Sequence, residues 1–355
     1  MSRGQLLDSS VRAFAMLRRQ DLLKPLRIRY AGEEGIDSGG LVKDWFIEVS
    51  RCLVDGNLGV FLGTDDNPDI MVVDPRSEHL HTEAVHLTSF FRFVGRFLGK
   101  AVFDRQVIDL RLETTILKQL VGEVATLADL AALDGHRHRG LQWMLENPIG
   151  DVLDETFSVG IEVFGEVKHV ELLPGGLDRP VTDANKTEYV DLMVRWATRG
   201  CVETQLAALV SGFHDLVPLD SLRAAGIAPP DLLRLFLGQD ELDVSEIEAA
   251  AKYLGGYDEE SPQVSWFWEA MRTTFADEER RATIRFVTGL HKVPLDGFDP
   301  PFTIMASTHE SGAAAFPKSH TCFNQLVLPP YNSPEELVAK MRFAIANASS
   351  AFLLS

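Results

Sequence analysis

The residue best placed to do chemistry is Cys322. It ends a polar stretch, Pro317-Lys318-Ser319-His320-Thr321-Cys322, that reads as a loop and runs into Phe323-Asn324-Gln325-Leu326-Val327-Leu328, which reads as a strand. A junction of this kind presents a side chain at the edge of a fold, where reactive groups are commonly held. His320 lies two residues away and Lys318 four, and nearby cations favour the thiolate, the nucleophilic form of cysteine. The same residue also fits a small apolar packing role, the commoner fate of a free cysteine. Cys201, between Gly200 and Val202 at the start of a helical stretch, fits that packing role, as does Cys52 near the end of an amphipathic helix.

Other chemistries find less support. His79, His81 and His86, and then His136 and His138, contain His-x-His spacings, but no neighbouring residues complete a metal site, so a polar surface loop is the reading for both. The glycines at 32, 35, 39 and 40 lack a following Gly-Lys-Ser/Thr and sit beside Glu33, Glu34 and Asp37, which repel phosphate; a tight turn is expected there. No histidine follows Cys322, which excludes a thiol protease with a downstream base. His291 and His309 stand upstream as alternative bases, without a flanking motif. The acids Asp258 to Glu260 and Asp277 to Glu279 read as solvated helix starts.

The elements that must position Cys322 come next. The chain of 355 residues, with 45% hydrophobic residues, can bury a large core and has room for about two domains. A net charge of −18 disfavours nucleic acid as a partner. Three widely spaced cysteines point to a reducing intracellular compartment, cytoplasmic or nuclear, and no apolar run is long enough for a membrane span. Nor does the first segment have the apolar run of a secretory signal.

Helical periodicity dominates the first two-thirds. Arg27-Ile28-Arg29-Tyr30 reads as a short strand, Phe90 to Val102 as a helix apolar on most sides, and Leu112 to Val121 as a helix closed by Gly122. Thr156 to Val159 and Val167 to Leu172 alternate like strands and mark a small β-containing insert. Gly238-Gln239-Asp240 is the candidate break before a final mixed unit. That unit holds helices at Trp266–Phe275 and Glu278–Thr288, strands at Phe302–Ala306 and Phe323–Leu328, and a closing helix. Ser333, Pro334 and Glu336 give the closing helix its N-cap, first position and capping box, and Leu337, Met341, Ile345 and Ala348 its core stripe.

Several ordered blocks resemble the HECT ubiquitin-ligase domain from about Asp21 to the end. The most specific is Pro317-Lys318-Ser319-His320-Thr321-Cys322-Phe323-Asn324, with Leu326, Leu328-Pro329, Tyr331 and Ser333; Phe316 stands where the family commonly has leucine. Gly32 to Leu41, Phe91 to Ala101, Val181 to Val190, Lys252 to Tyr257 and Phe286 to Gly289 with Val293-Pro294 and Gly297-Phe298 are similar to further family blocks.

The resemblance implies an α+β, bilobed fold. A mainly helical N-lobe would span 1–237, with a conjugating-enzyme-binding insert at about 123–200. A hinge at 238–242 would lead to an α/β C-lobe at 243–355. It implies that Cys322 accepts ubiquitin as a thioester from a conjugating enzyme and passes it to a substrate lysine, with His320 and Thr321 supporting and Phe352 aiding the second step. Leu141, Leu153 and Tyr189 would line the conjugating-enzyme groove, Asn147 standing where some members have an aromatic residue. No cofactor is required, and substrates would be bound mostly outside this chain. Exchange between thioesters is nearly isoenergetic, so positioning matters more than a catalytic triad. A silent binding module and a ubiquitin hydrolase are the rival readings; the first needs neither Cys322 nor Phe352.

Overall fold

The apolar stretch from Phe90 to Val102 forms the body of a 20-residue helix, Ala84–Phe103, around which the first half of the molecule is packed. A computed structural model of the chain describes residues 3–31, 40–64, 67–77, 84–150, 152–163, 165–239, 241–290, 292–307 and 315–352, and gives the backbone alone for 3, 40, 84–86, 162–163, 322 and 348–352. The glycine-rich turn at 32–39 and the histidines at 79, 81, 291 and 309 lie outside the described residues.

In chain order the first elements are α1 (Leu6–Met16), α2 (Gly40–Leu53), the antiparallel pair β1 (Phe61–Gly63) and β2 (Met71–Val73), α3 (Ala84–Phe103) and α4 (Thr114–Val121). An insert follows: α5 (Leu127–Leu133), α6 (Gly135–Glu146), the antiparallel β3 (Ser158–Val163) and β4 (Glu166–Glu171), and α7 (Lys186–Thr198). The chain then returns as α8 (Glu203–His214), α9 (Leu219–Ala224) and α10 (Pro229–Leu237). The last stretch comprises α11 (Val244–Ala250), β5 (Lys252–Leu254), α12 (Pro262–Glu269), α13 (Asp277–Thr288), β6 (Thr303–Ala306), β7 (Lys318–His320), β8 (Gln325–Leu328) and α14 (Pro334–Phe352).

Helix and sheet are thus mixed, and the apolar side chains gather into three cores. The largest is helical and aromatic: Phe14 stacks on Trp45 at 5.4 Å, and Trp45 meets Phe97 edge-on at 5.5 Å. The Trp45 indole donates to Ser10 Oγ at 2.8 Å, so the one polar atom of that ring is satisfied within the core. Arg96 donates to the carbonyls of Phe14 and Leu17 and to Asp215, binding α1 and α8 to α3. The insert has its own core around Leu130, Leu141, Phe157, Tyr189 and Met193. The third, around Phe267, Trp268, Phe302, Ile304, Leu326 and Leu337, fills the C-terminal unit.

The C-terminal sheet has the order β5-β6-β8-β7, with β5, β6 and β8 parallel and β7 antiparallel to β8. Its inner strands bury Ile304, Leu326 and Leu328 completely. Tyr257 and Tyr331 tie down its margins. The Tyr257 hydroxyl donates to the Leu328 carbonyl at 3.2 Å, and the Tyr331 hydroxyl donates to the Ala315 carbonyl at 3.0 Å. Burial pushes the Tyr257 phenol up to about 12, so it remains a donor across the ordinary pH range.

Several expected elements differ in detail: His136 and His138, expected in a surface loop, lie on α6. Arg27–Tyr30 alternates as a strand should, burying Ile28 and Tyr30, yet no strand is formed there among the described residues. Alternation reports only that one face is buried and the other is not; it does not by itself set the hydrogen-bond ladder that defines a strand. The helix expected over Trp266–Phe275 runs from Pro262 to Glu269 and then widens into a π turn, Ala270–Thr274. Lys318–His320, expected as loop, is the edge strand β7. Ser333 does cap α14, its hydroxyl accepting from the Glu336 amide at 3.2 Å, but the Glu336 carboxylate accepts from Asn332 rather than from Ser333 itself.

Helices α3 and α8 cross at two glycines. A Cβ on Gly95 would lie 1.9 Å from the Leu209 carbonyl oxygen, and one on Gly212 would lie 2.1 Å from that of Arg92. Backbone cannot yield as a flexible side chain does, so Gly95→Ala is expected to lower the unfolding free energy by roughly 2–3 kcal/mol. Gly140→Ala, at an exposed position of α6 with nothing within 4 Å of the added carbon, should raise it by roughly 0.5–1 kcal/mol. Urea unfolding of the two variants beside the parent checks both signs.

Candidate active site

Strands β7 and β8 form a hairpin whose register pairs His320 with Gln325 and Ser319 with Leu326. The connection between them is the single 3-10 turn Thr321–Phe323, with Cys322 at its centre, closed by Asn324. Asn324 adopts φ 49° and ψ 44°, the left-handed conformation that asparagine tolerates better than most residues. Without it the chain could not reverse in so few residues. The Asn324 carbonyl accepts from the Thr303 amide at 2.9 Å, which fixes the turn against the first residue of β6.

His320 and Phe323, on either side of Thr321 and Cys322, are exposed, Phe323 by 52%. Thr321 is half-buried and packs against Gly289, the residue that caps α13. Asn324 is fully buried. Its side-chain amide donates to the Pro300 carbonyl at 2.6 Å, while Oδ1 accepts from Lys43 Nζ at 2.8 Å. Lys43 belongs to α2 in the large helical core, 281 positions away in sequence. The cysteine turn therefore lies at the seam between the C-terminal sheet and that core.

The other two cysteines are a different case. Burial pushes the Cys201 thiol up to about 11, and its Sγ donates to the Ala197 carbonyl at 3.4 Å. Cys52 is also raised, first by burial and then by Glu48 and Asp55. Both environments suppress the thiolate. The packing role expected for them agrees with this.

Thr321 and Cys322 thus share one turn, His320 ends β7 immediately before it, and Phe352 is the last described residue of α14. Leu141, Leu153 and Tyr189 all lie in the insert, but not as an open apolar surface. Leu141 and Tyr189 are core residues, 5% and 4% exposed, and Leu153 packs partly against the same cluster. Tyr189 meets Phe157 edge-on at 5.5 Å, and such a ring-on-ring contact turns it inward. The exposed large apolar side chains among the described residues of the insert are Val124, Trp143, Val152, Val167 and Leu177. Sequence pattern identified the apolar positions; it did not separate the inward from the outward ones. Lys43 has no signal in the sequence, because a lysine in an amphipathic helix carries no local mark of a partner far along the chain.

Among the described residues no group of histidine, cysteine or acidic side chains is arranged to hold a metal, and no helix is long and apolar enough to cross a membrane.

The HECT-domain (ubiquitin-transferase) profile matches residues 47–355, which includes the whole hairpin around Cys322. The chain belongs to the HECT family. It is 35% identical over 92% of its length to the E3 ubiquitin-protein ligase TOM1-like of Neurospora crassa, and 34% identical over 99% to the E3 ubiquitin-protein ligase UPL1 of Arabidopsis thaliana. The probable E3 ubiquitin-protein ligase hulA of Neosartorya fischeri is 35% identical over 97% of the chain. The HECT chain described here spans only 8% and 10% of the first two relatives and 42% of the third.

The raised thiol of Cys201 makes a direct prediction. Near neutral pH a haloacetamide should leave Cys201 unmodified, and its modification should accelerate only as the pH approaches about 11, because the thiolate is the reacting form and it appears above the raised value. Peptide mass mapping against pH reads this out; rapid labelling of Cys201 at neutral pH would contradict the buried environment.

Proposed function

We propose that Cys322 is the carrier thiol of a ubiquitin relay, with ubiquitin arriving from a charged conjugating enzyme and leaving to a substrate lysine. In the first step the Cys322 thiolate adds to the thioester carbonyl at the C-terminus of ubiquitin, and the conjugating enzyme's thiolate leaves. In the second the lysine amine adds to the new thioester, Cys322 leaves as thiolate, and the amine's proton passes to solvent or a nearby base. Sulfur replaces sulfur in the first step, so little energy separates its two sides and alignment governs its rate. The observation that carries the reading is the position of Cys322 at the centre of a tight hairpin turn, flanked by exposed His320 and Phe323, in a chain of the HECT family.

A bilobed working arrangement accompanies it: an N-lobe at 1–237 with a conjugating-enzyme-binding insert at about 123–200, a hinge at 238–242, and a C-lobe at 243–355. Separate apolar cores on either side of residue 240 support this division. So does Gly238, whose φ of 75° and ψ of −165° are open almost only to glycine. A carrier that meets its donor and its acceptor in different places needs such a pivot. In the insert, exposed Trp143, Val152 and Leu177 are better suited to touch a conjugating enzyme than the buried Leu141 and Tyr189. His320 and Thr321 orient the thioester, and Phe352 assists delivery to lysine.

Mixing the protein with a charged conjugating enzyme should give an adduct that reducing agent removes and that Cys322→Ala abolishes. No adduct with any conjugating enzyme tried would favour a silent binding module, and ubiquitin released from preformed chains would favour a hydrolase. Phe352→Ala should load as the parent does and discharge to lysine severalfold more slowly; failure to load would instead make Phe352 a structural residue of the C-terminal unit.

A further inference from the structure

The hydrogen bond from Lys43 to Asn324 has no part in the chemistry described so far, yet it joins the cysteine turn to the large helical core. Lys43 is 9% exposed and Asn324 fully buried, so the bond is shielded from water, where an ammonium donor counts for most. Asn324 also sets the course of the turn. Its left-handed backbone closes Thr321–Phe323, its amide holds the Pro300 carbonyl, and its own carbonyl holds β6. A force applied at Oδ1 is therefore passed to the residue two places before it, Cys322.

The seam around this bond is loosely filled. A cavity of about 370 Å³ opens beside it, lined by Lys43, Gln106, Leu290, Pro294, Asp299 and Asn324. Elsewhere the seam holds Arg105 against Asp296 at 3.1 Å, both largely exposed, and the Gln239 amide against the Val293 carbonyl at 2.8 Å. An exposed ion pair contributes little. The bond to Asn324, by contrast, is both buried and charge-assisted.

We infer that Lys43 is a positioning residue: through Asn324 it docks the cysteine turn on α2 for delivery of ubiquitin to lysine. The inference rests on the relay reading above. It assigns the docked arrangement to delivery because the turn lies against α2 of the large core, whereas the surface proposed for the conjugating enzyme lies on the insert. Loading would use a different placement of the C-terminal unit, in which the bond is open.

The test separates the two half-reactions in single-turnover assays of the whole chain: loading from a charged conjugating enzyme, and then discharge of the purified adduct to free lysine. Lys43→Met keeps the length of the side chain but removes its donor; it should slow discharge about tenfold while loading stays within about twofold. Lys43→Arg, which restores a cationic donor, should recover part of the lost rate. Discharge by Lys43→Met at the parent's rate would overturn the inference. So would an equal fall in both half-reactions with a lowered melting temperature and no recovery in Lys43→Arg, since that pattern marks a residue that merely holds the fold. If the parent itself forms no adduct, the relay reading fails, and the melting temperatures still report what the bond does for stability.

Discussion

The side chain of Asn324 is the point on which the site depends. It sits between the Pro300 carbonyl and the Lys43 ammonium, fully buried, on a residue whose backbone is left-handed. Each feature has a physical demand behind it. A hairpin that turns through Thr321–Phe323 needs a residue content at positive φ; a buried amide needs both a donor and an acceptor; a buried ammonium needs an oxygen. Asparagine answers all three at once. Alanine would lose both hydrogen bonds, and glycine would keep the turn while losing its ties to β6's neighbour loop and to α2.

From that point the fold can be followed outward. The parallel strands β6 and β8 hold the turn at one end of the sheet, Thr321 packs on Gly289 at the end of α13, and Tyr257 and Tyr331 secure the strand exits. What the scaffold offers is location. For thioester exchange, location is the main requirement.

Much of the C-terminal unit was legible in the sequence because its signals are local. Ser333-Pro334, Gly289 and the alternation of Gln325–Leu328 each act within one turn of helix or a few residues of strand. The wide apolar face of α3 was equally plain, since only a helix at the centre of a core can carry it. Illegibility began where a segment's structure is set by a different element. Arg27–Tyr30 has the alternation of a strand, yet it is not part of a sheet among the described residues. Lys318–His320 looked like loop because only β8 makes it a strand. Leu141 and Tyr189 were known as apolar, but their inward direction is set by Phe157 and the rest of the insert's core. Lys43 is the extreme case: its acceptor is 281 positions away, and no local pattern encodes it.

The central claim is that a single thiol, Cys322, bears ubiquitin covalently. The most direct measurement is to isolate the adduct formed with a charged conjugating enzyme, digest it at acid pH, and map the attachment by mass spectrometry. The account predicts one ubiquitin, joined as a thioester to the peptide that contains Cys322. Attachment at Cys52 or Cys201, or only at lysine amines with the Cys322 peptide unmodified throughout the time course, would contradict it.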